Sequence, residues 1–182
     1  MPKLNEDTWY ALKIRPKYEQ ISRRILLGKG YDVLLLTYTR PGAARKRTIE
    51  LPLFPGYLFC RILPGVTAPA VTTPGVVSFV GRRGYPEPVA DDEIEALRRI
   101  SASPVARQPW RFLPYGSTVM VETGPLAGVR GILLSRANDR RLVVSIGLLQ
   151  RSVAAVLDDD TRINRIAACP DSSGWMPQSV AA

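Results

Sequence analysis

The sequence predicts an α+β chain built as two units, a split βαβ sandwich (ferredoxin-like, an antiparallel sheet with helices) followed by a small SH3-like all-β barrel. Three observations carry this. Strand-patterned and helix-patterned segments alternate through the first hundred residues. A stretch with three prolines and no periodicity, 101–114 (SASPVARQPWRFLP), then interrupts the pattern. From Gly116 onward only short apolar strands and glycine-containing turns follow. Strands alternating with helices and then strands alone are the signature of two such architectures in series.

Each element has a local reason. Thr8–Ile14 (TWYALKI) is rich in β-branched and aromatic residues and reads as the first strand. Pro16 opens a helix, because a missing N–H costs nothing in the first turn. Tyr18, Ile21 and Ile25 recur at three- and four-residue spacing, so the expected helix buries that stripe and turns Lys17, Gln20, Arg23 and Arg24 outward. Gly28 and Gly30 stop it. Tyr31–Tyr38 is a second strand. Arg40–Glu50 reads as a basic hairpin tip opened by Pro41 and Gly42. Leu58–Ile62 and Val76–Val80 are further strands, with a short helix expected near Ala68–Thr72. In Asp91–Ile100 the acids crowd the first turn, the arginines the last, and Ile94, Leu97 and Ile100 share a face, which predicts a helix. The helices are expected to cover one face of the sheet. Beyond the proline-rich linker, strands are expected at Thr118–Glu122, Arg130–Ser135, Leu142–Ile146 and Ser152–Leu157, with residues 168–182 forming a disordered tail. The predicted division is 1–100, linker 101–114, barrel 115–167 and tail 168–182.

Composition narrows the function. The 182 residues hold 25 Lys and Arg against 16 Asp and Glu and no histidine, a net charge of +9. Without histidine, neither a Ser-His-Asp triad nor an imidazole-bound zinc site is available. Cys60 and Cys169 cannot complete a thiolate cage or a disulfide framework. Neither Gly-x-Gly-x-x-Gly nor a Walker loop occurs, and the acidic runs Asp91–Glu93 and Asp158–Asp160 read as helix-start charge and a solvated loop. No enzyme activity, metal or cofactor is expected. Apolar runs such as Val33–Leu36 fall far short of the roughly 20 residues that span a bilayer. The N-terminus lacks secretory-signal order, so a cytoplasmic monomer with no membrane partner is expected.

The charge is concentrated. Lys13–Arg47 holds ten basic residues against Glu19 and Asp32, a local charge of +8 that leaves +1 for everything else. Such a field draws polyanions, and nucleic acid is the evident candidate.

Three segments, in order, resemble the NusG family of transcription elongation factors. They are Trp9-Tyr10-Ala11-Leu12; the pair Leu53-Phe54-Pro55-Gly56-Tyr57-Leu58-Phe59 and Thr73-Pro74-Gly75-Val76-Val77-Ser78-Phe79-Val80-Gly81; and Val119–Ile132, which is similar to the start of a KOW motif. The Arg-rich loop before Leu51-Pro52-Leu53 and the run Ser145–Val153 resemble the operon-specific UpxY/RfaH-like antiterminators. The resemblance implies an N-terminal (NGN) domain that grips the clamp helices of the largest RNA polymerase subunit through the aromatics Phe54, Tyr57 and Phe59. It further implies that a basic face carrying Arg15, Lys17, Arg23 and Arg24 lies toward upstream or non-template DNA. Tyr18 is assigned to the core rather than to base stacking, because its helical phase follows Ile21. The KOW domain is implied to be an adaptor, with Leu126, Leu149 and Arg151 as its contact residues and a small-subunit ribosomal protein as partner; contact with the termination factor Rho stays open. The polar motif that RfaH-like proteins aim at the polymerase gate loop is not visible in Val66-Thr67-Ala68-Pro69. A KOW protein bound to ribosome or RNA alone is the alternative, and it leaves the first two motifs unexplained.

Overall fold

The computed structural model describes residues 7–41, 48–63, 69–82, 85–113, 116–136 and 139–167. The basic tip 42–47, most of the Val66–Pro69 stretch, Cys169 and the tail lie outside them.

The N-terminal unit runs β1 (Trp9–Ile14), α1 (Glu19–Gly28), β2 (Asp32–Leu34), β3 (Thr37–Pro41), β4 (Thr48–Pro52), β5 (Tyr57–Arg61), a 3₁₀ turn (Ala70–Thr72), β6 (Val76–Phe79), β7 (Gly81–Arg82), β8 (Tyr85–Pro86) and α2 (Asp91–Ala102). Four strands form an antiparallel sheet in the order β2-β5-β1-β6, the split βαβ order with β1 and β5 central. Register places Ala11 opposite Phe59 and Lys13 opposite Tyr57. β3 and β4 make a separate two-stranded ribbon, Arg40 opposite Ile49. The expected single strand Tyr31–Tyr38 is therefore broken into β2, which joins the sheet, and β3, which leaves it.

The central strands are apolar on both faces, as WYALKI and YLFCR show, and a strand buried on both faces reads as a continuous apolar run. Trp9, Ala11 and Phe59 point into one core with Ile94, Leu97 and Ile100 of α2. Tyr10, Leu12, Ile14, Leu58 and Cys60 point into the other with Leu26 of α1. The helices thus cover opposite faces, not one face as expected.

The phase of α1 also differs from expectation. Its inward residues are Glu19, Ser22 and Leu26, whereas Tyr18 and Ile21 are 41% and 50% exposed. Two polar residues face inward because each has a backbone partner waiting. Gly56 N–H donates to Glu19 Oε1 at 3.1 Å, and Ser22 Oγ donates to the Pro74 carbonyl at 2.8 Å. A hydrogen-bonded buried polar group avoids the desolvation penalty that would otherwise exclude it.

The second unit is an antiparallel six-stranded barrel-like sheet in the order β14-β10-β11-β12-β13-β9. Its strands are β9 (Arg107–Trp110), β10 (Thr118–Val121), β11 (Arg130–Arg136), β12 (Asp139–Ile146), β13 (Arg151–Val156) and β14 (Ile163–Ala167). The four strands expected from sequence are present. The segment 101–114, read as a linker, contains the last two residues of α2 and the edge strand β9, which pairs with β13. Pro109 is tolerated there because an edge strand can present its donorless position outward. No helix among the described residues is long and apolar enough to cross a membrane.

Candidate functional site

The loop Leu53–Tyr57 between β4 and β5 is fixed from three sides. Phe54 and Phe59 stack edge to face, centroids 5.5 Å apart. Tyr57 N–H donates to the Phe54 carbonyl at 3.0 Å, and Ile14 N–H donates to the Gly56 carbonyl at 2.8 Å. Gly56 adopts φ +79°, which glycine reaches without a Cβ penalty. Glu19 then ties this loop to α1. Glu19 is a residue that sequence reasoning missed: its partner lies 37 positions away, and no local pattern links them.

The three candidate aromatics have different environments. Phe54 and Phe59 are 2% and 1% exposed and belong to the core. Tyr57 is half-buried, on the same side of β5 as Phe59, and the Arg151 guanidinium sits 5.2 Å from its ring centroid. A cation over an aromatic face is attracted by the ring quadrupole, about 0.5–1 kcal/mol at an exposed site. Arg151 opens β13, so this contact crosses between the two units.

Other contacts do the same. Arg99 of α2 donates from Nη1 to the Ala127 carbonyl at 2.8 Å. Gly147 N–H donates to Glu93 Oε1 at 3.2 Å. Burial pushes the Glu93 carboxyl above its ordinary value, and the nearby Asp92 charge adds to that, while the bond from Gly147 opposes both. Leu126 and Leu149, candidate adaptor contacts, are buried in the apolar cluster that runs through both units. Of that trio only Arg151 is exposed, and it faces Tyr57. A cleft of about 450 Å³ remains between α2 and the barrel, walled by Glu93 and Arg99 on one side and Ile132 and Ser145 on the other.

The four candidate nucleic-acid residues Arg15, Lys17, Arg23 and Arg24 are all exposed. Arg15–Tyr18 is a turn closed by Tyr18 N–H donating to the Arg15 carbonyl at 3.1 Å. Pro16 takes its second position and Lys17 its third, at φ +70°. That is the arrangement of a type II turn, whose third position favours glycine. A lysine there costs roughly 1–2 kcal/mol of backbone strain. Cys60 is buried and its thiol is pushed up to about 12 by desolvation, so thiolate chemistry is closed to it.

The N-terminal unit is thus a two-core sandwich joined to a small barrel, with an anchored aromatic loop and an exposed basic turn. The family model described as "Transcription termination factor nusG" matches residues 7–98, the span that holds the loop, the basic turn and most of α2. The chain belongs to the NusG family. It is 28% identical to the transcription termination/antitermination protein NusG of Thermus thermophilus over 177 residues, covering 82% of this chain and 94% of that protein. It is also 28% identical to the protein of the same name from Deinococcus radiodurans over 131 residues, 63% of this chain and 69% of that protein. Among solved structures it resembles one described as "Domain interaction in Thermotoga maritima NusG", with a TM-score of 0.50 at 22% identity, covering 88% of this chain and 97% of that one.

Proposed function

We propose that this chain is a transcription termination/antitermination factor that binds RNA polymerase through the loop around Tyr57. The observation that carries this reading is the anchored loop itself: a half-buried tyrosine held by Phe54, Phe59 and the Glu19 tether, within the span of the family match. A preorganised aromatic loses little entropy on docking, and such anchors dominate interface energetics. The partner surface is the clamp helices of the largest polymerase subunit. Arg15, Lys17, Arg23 and Arg24 contact upstream or non-template DNA, with the salt dependence of phosphate neutralisation. Bridging protein and DNA in this way favours whichever polymerase state offers both surfaces, and needs no bond chemistry.

The barrel is the adaptor, and its partner is a small-subunit ribosomal protein. Because Arg151 lies over Tyr57, and Leu149 is buried, both partner surfaces become available only when the barrel moves off the N-terminal unit. The open cleft beside α2 supports a contact that is incomplete and reversible. The Arg-rich loop and the Ser145–Val153 run favour a specialised, operon-directed paralogue of the UpxY/RfaH type.

The test is retention of core RNA polymerase by the tagged full chain. Tyr57→Ala is expected to reduce retention by an order of magnitude or more, on the basis of about 2 kcal/mol per hot-spot side chain. Phe59→Ala is unsuitable as a probe, because truncating a buried phenylalanine costs about 3–5 kcal/mol of folding stability. Equal retention by wild type and Tyr57→Ala sinks the assignment.

A further inference from the structure

The cleft between α2 and the barrel has a floor that leads to the end of the described chain. Val143 of β12 stands opposite Ile132 of β11, Ile132 opposite Thr118 of β10, and Thr118 opposite Ala167 of β14. Directly opposed residues share one face of a sheet, so they form a single row, of which Val143, Ile132 and Thr118 line the cleft. Ala167 is the last described residue. The chain therefore leaves the sheet at the end of the row that floors the cleft.

The cleft suits an amphipathic occupant. Its volume of about 450 Å³ falls within the roughly 300–1,000 Å³ of ligand-sized pockets. Ala96, Leu113 and Ile132 supply apolar wall, and Glu93, Arg99 and Ser145 set polar groups among them. The remaining sequence supplies such an occupant. Residues 172–182 (SSGWMPQSVAA) carry no ionisable side chain and hold Trp175 next to Met176. Both side chains gain free energy on leaving water, and the indole keeps an N–H to donate. Trp175 lies eight residues beyond Ala167, a reach of up to about 26 Å for an extended chain. Three strand spacings, from β14 to β12, amount to only about 14 Å. A segment joined to its site by so short a link is present at an effective concentration on the order of millimolar. That favours this chain's own tail over the tail of a second copy or a separate partner.

We propose that the C-terminal segment folds back over the barrel and seats Trp175 and Met176 in this cleft. The walls belong to both units, so the seated side chains complete the seam between α2 and the barrel and add to the contacts that keep the barrel docked. The proposal is independent of what Tyr57 binds.

The experiment records the fluorine NMR spectrum of the full chain carrying 5-fluorotryptophan at its three tryptophans, Trp9, Trp110 and Trp175. Trp175→Ala identifies the Trp175 signal by removing it. A labelled synthetic peptide of residues 168–182 gives the position of that signal in water. In the full chain the signal is expected to stand apart from the peptide's. Two cleft variants are expected to move it back to the peptide position. Ile132→Glu puts a carboxylate into the apolar wall. Glu95→Phe crowds the cleft from an exposed position on α2, where it leaves both cores intact even if Ile132→Glu does not fold. Unchanged Trp9 and Trp110 signals show that a variant has kept both units folded, because Trp9 lies in the first and Trp110 in the second. A wild-type Trp175 signal at the peptide position overturns the proposal. A displaced signal that Glu95→Phe leaves in place also overturns it, since Trp175 is then seated elsewhere. A displacement that persists on dilution supports seating within one chain. One that is lost on dilution, with a dimer found by light scattering at the higher concentration, overturns the proposal in favour of a second copy.

Discussion

Glu93 shows how one side chain couples the two units to pH. Its carboxyl is raised chiefly by burial, so the folded chain holds that proton to higher pH than the unfolded chain does. Where the folded state binds more protons, stability falls as pH rises. The loss runs from the ordinary glutamate value up to the raised one, and below that window there is no penalty. Glu93→Gln keeps a carbonyl to accept from Gly147 N–H but cannot ionise. Urea denaturation across this window is expected to show the wild type losing stability relative to Glu93→Gln as pH increases. A constant difference between the two proteins contradicts this account. Tyr18 makes a different point at the same scale. Its spacing from Ile21 and Ile25 correctly marks a helix with an apolar stripe, but Tyr18 and Ile21 face out and Ile25 is only half-buried. Periodicity records which side chains are alike; it does not record which backbone groups elsewhere are waiting for a partner.

At the level of elements, the strands were legible where a short segment is apolar on both faces, as in β1 and β5, because such a run bounded by turn residues is too short for a buried helix and fits a strand covered on both sides. Ile94, Leu97 and Ile100 placed α2 correctly because acidic and basic ends agreed with the apolar face. β9 was hidden by Pro109, which argues against a strand except at an edge, and β14 by Asn164 and Arg165 in a segment with little alternation. The orientation of α1 was not legible at all, since it depends on Glu19 and Ser22 reaching Gly56 and Pro74 across 37 and 52 positions. This gives a direct test of what sets the phase of α1. Glu19→Ala leaves the Gly56 N–H without its acceptor and is expected to cost about 1–3 kcal/mol in urea denaturation. Glu19→Gln, which still accepts, is expected to lose less. Equal losses would mean that packing around the side chain, and not the bond to Gly56, holds the loop.

For the whole molecule, the candidate site was legible as residues but not as a state. The sequence located Tyr57 and Arg151 separately; only the fold shows one lying over the other. Polar contacts join the units beside an apolar seam and an open cleft, and two of them, Arg99 to Ala127 and Arg151 to Tyr57, rest on arginine side chains that can be removed; Gly147 to Glu93 and Arg107 to Thr37 are others. Arg99 and Arg151 are both exposed, so removing them leaves each core intact. Their combined contribution is about 2 kcal/mol, taking roughly 1.5 for the hydrogen bond from a charged donor and 0.5 for the cation on the ring. Arg99→Ala with Arg151→Ala is therefore expected to shift the balance between docked and separated units about 30-fold toward separation. Small-angle scattering reads that shift as an increased radius of gyration. If Tyr57 contacts polymerase, the same double variant is expected to bind it more tightly, because apparent affinity scales with the fraction of molecules whose surface is free. An unchanged radius of gyration would mean that the apolar seam and the remaining polar contacts, Glu93 to Gly147 and Arg107 to Thr37, hold the units together without the two arginines. Wider separation without tighter binding would mean that the barrel does not gate Tyr57.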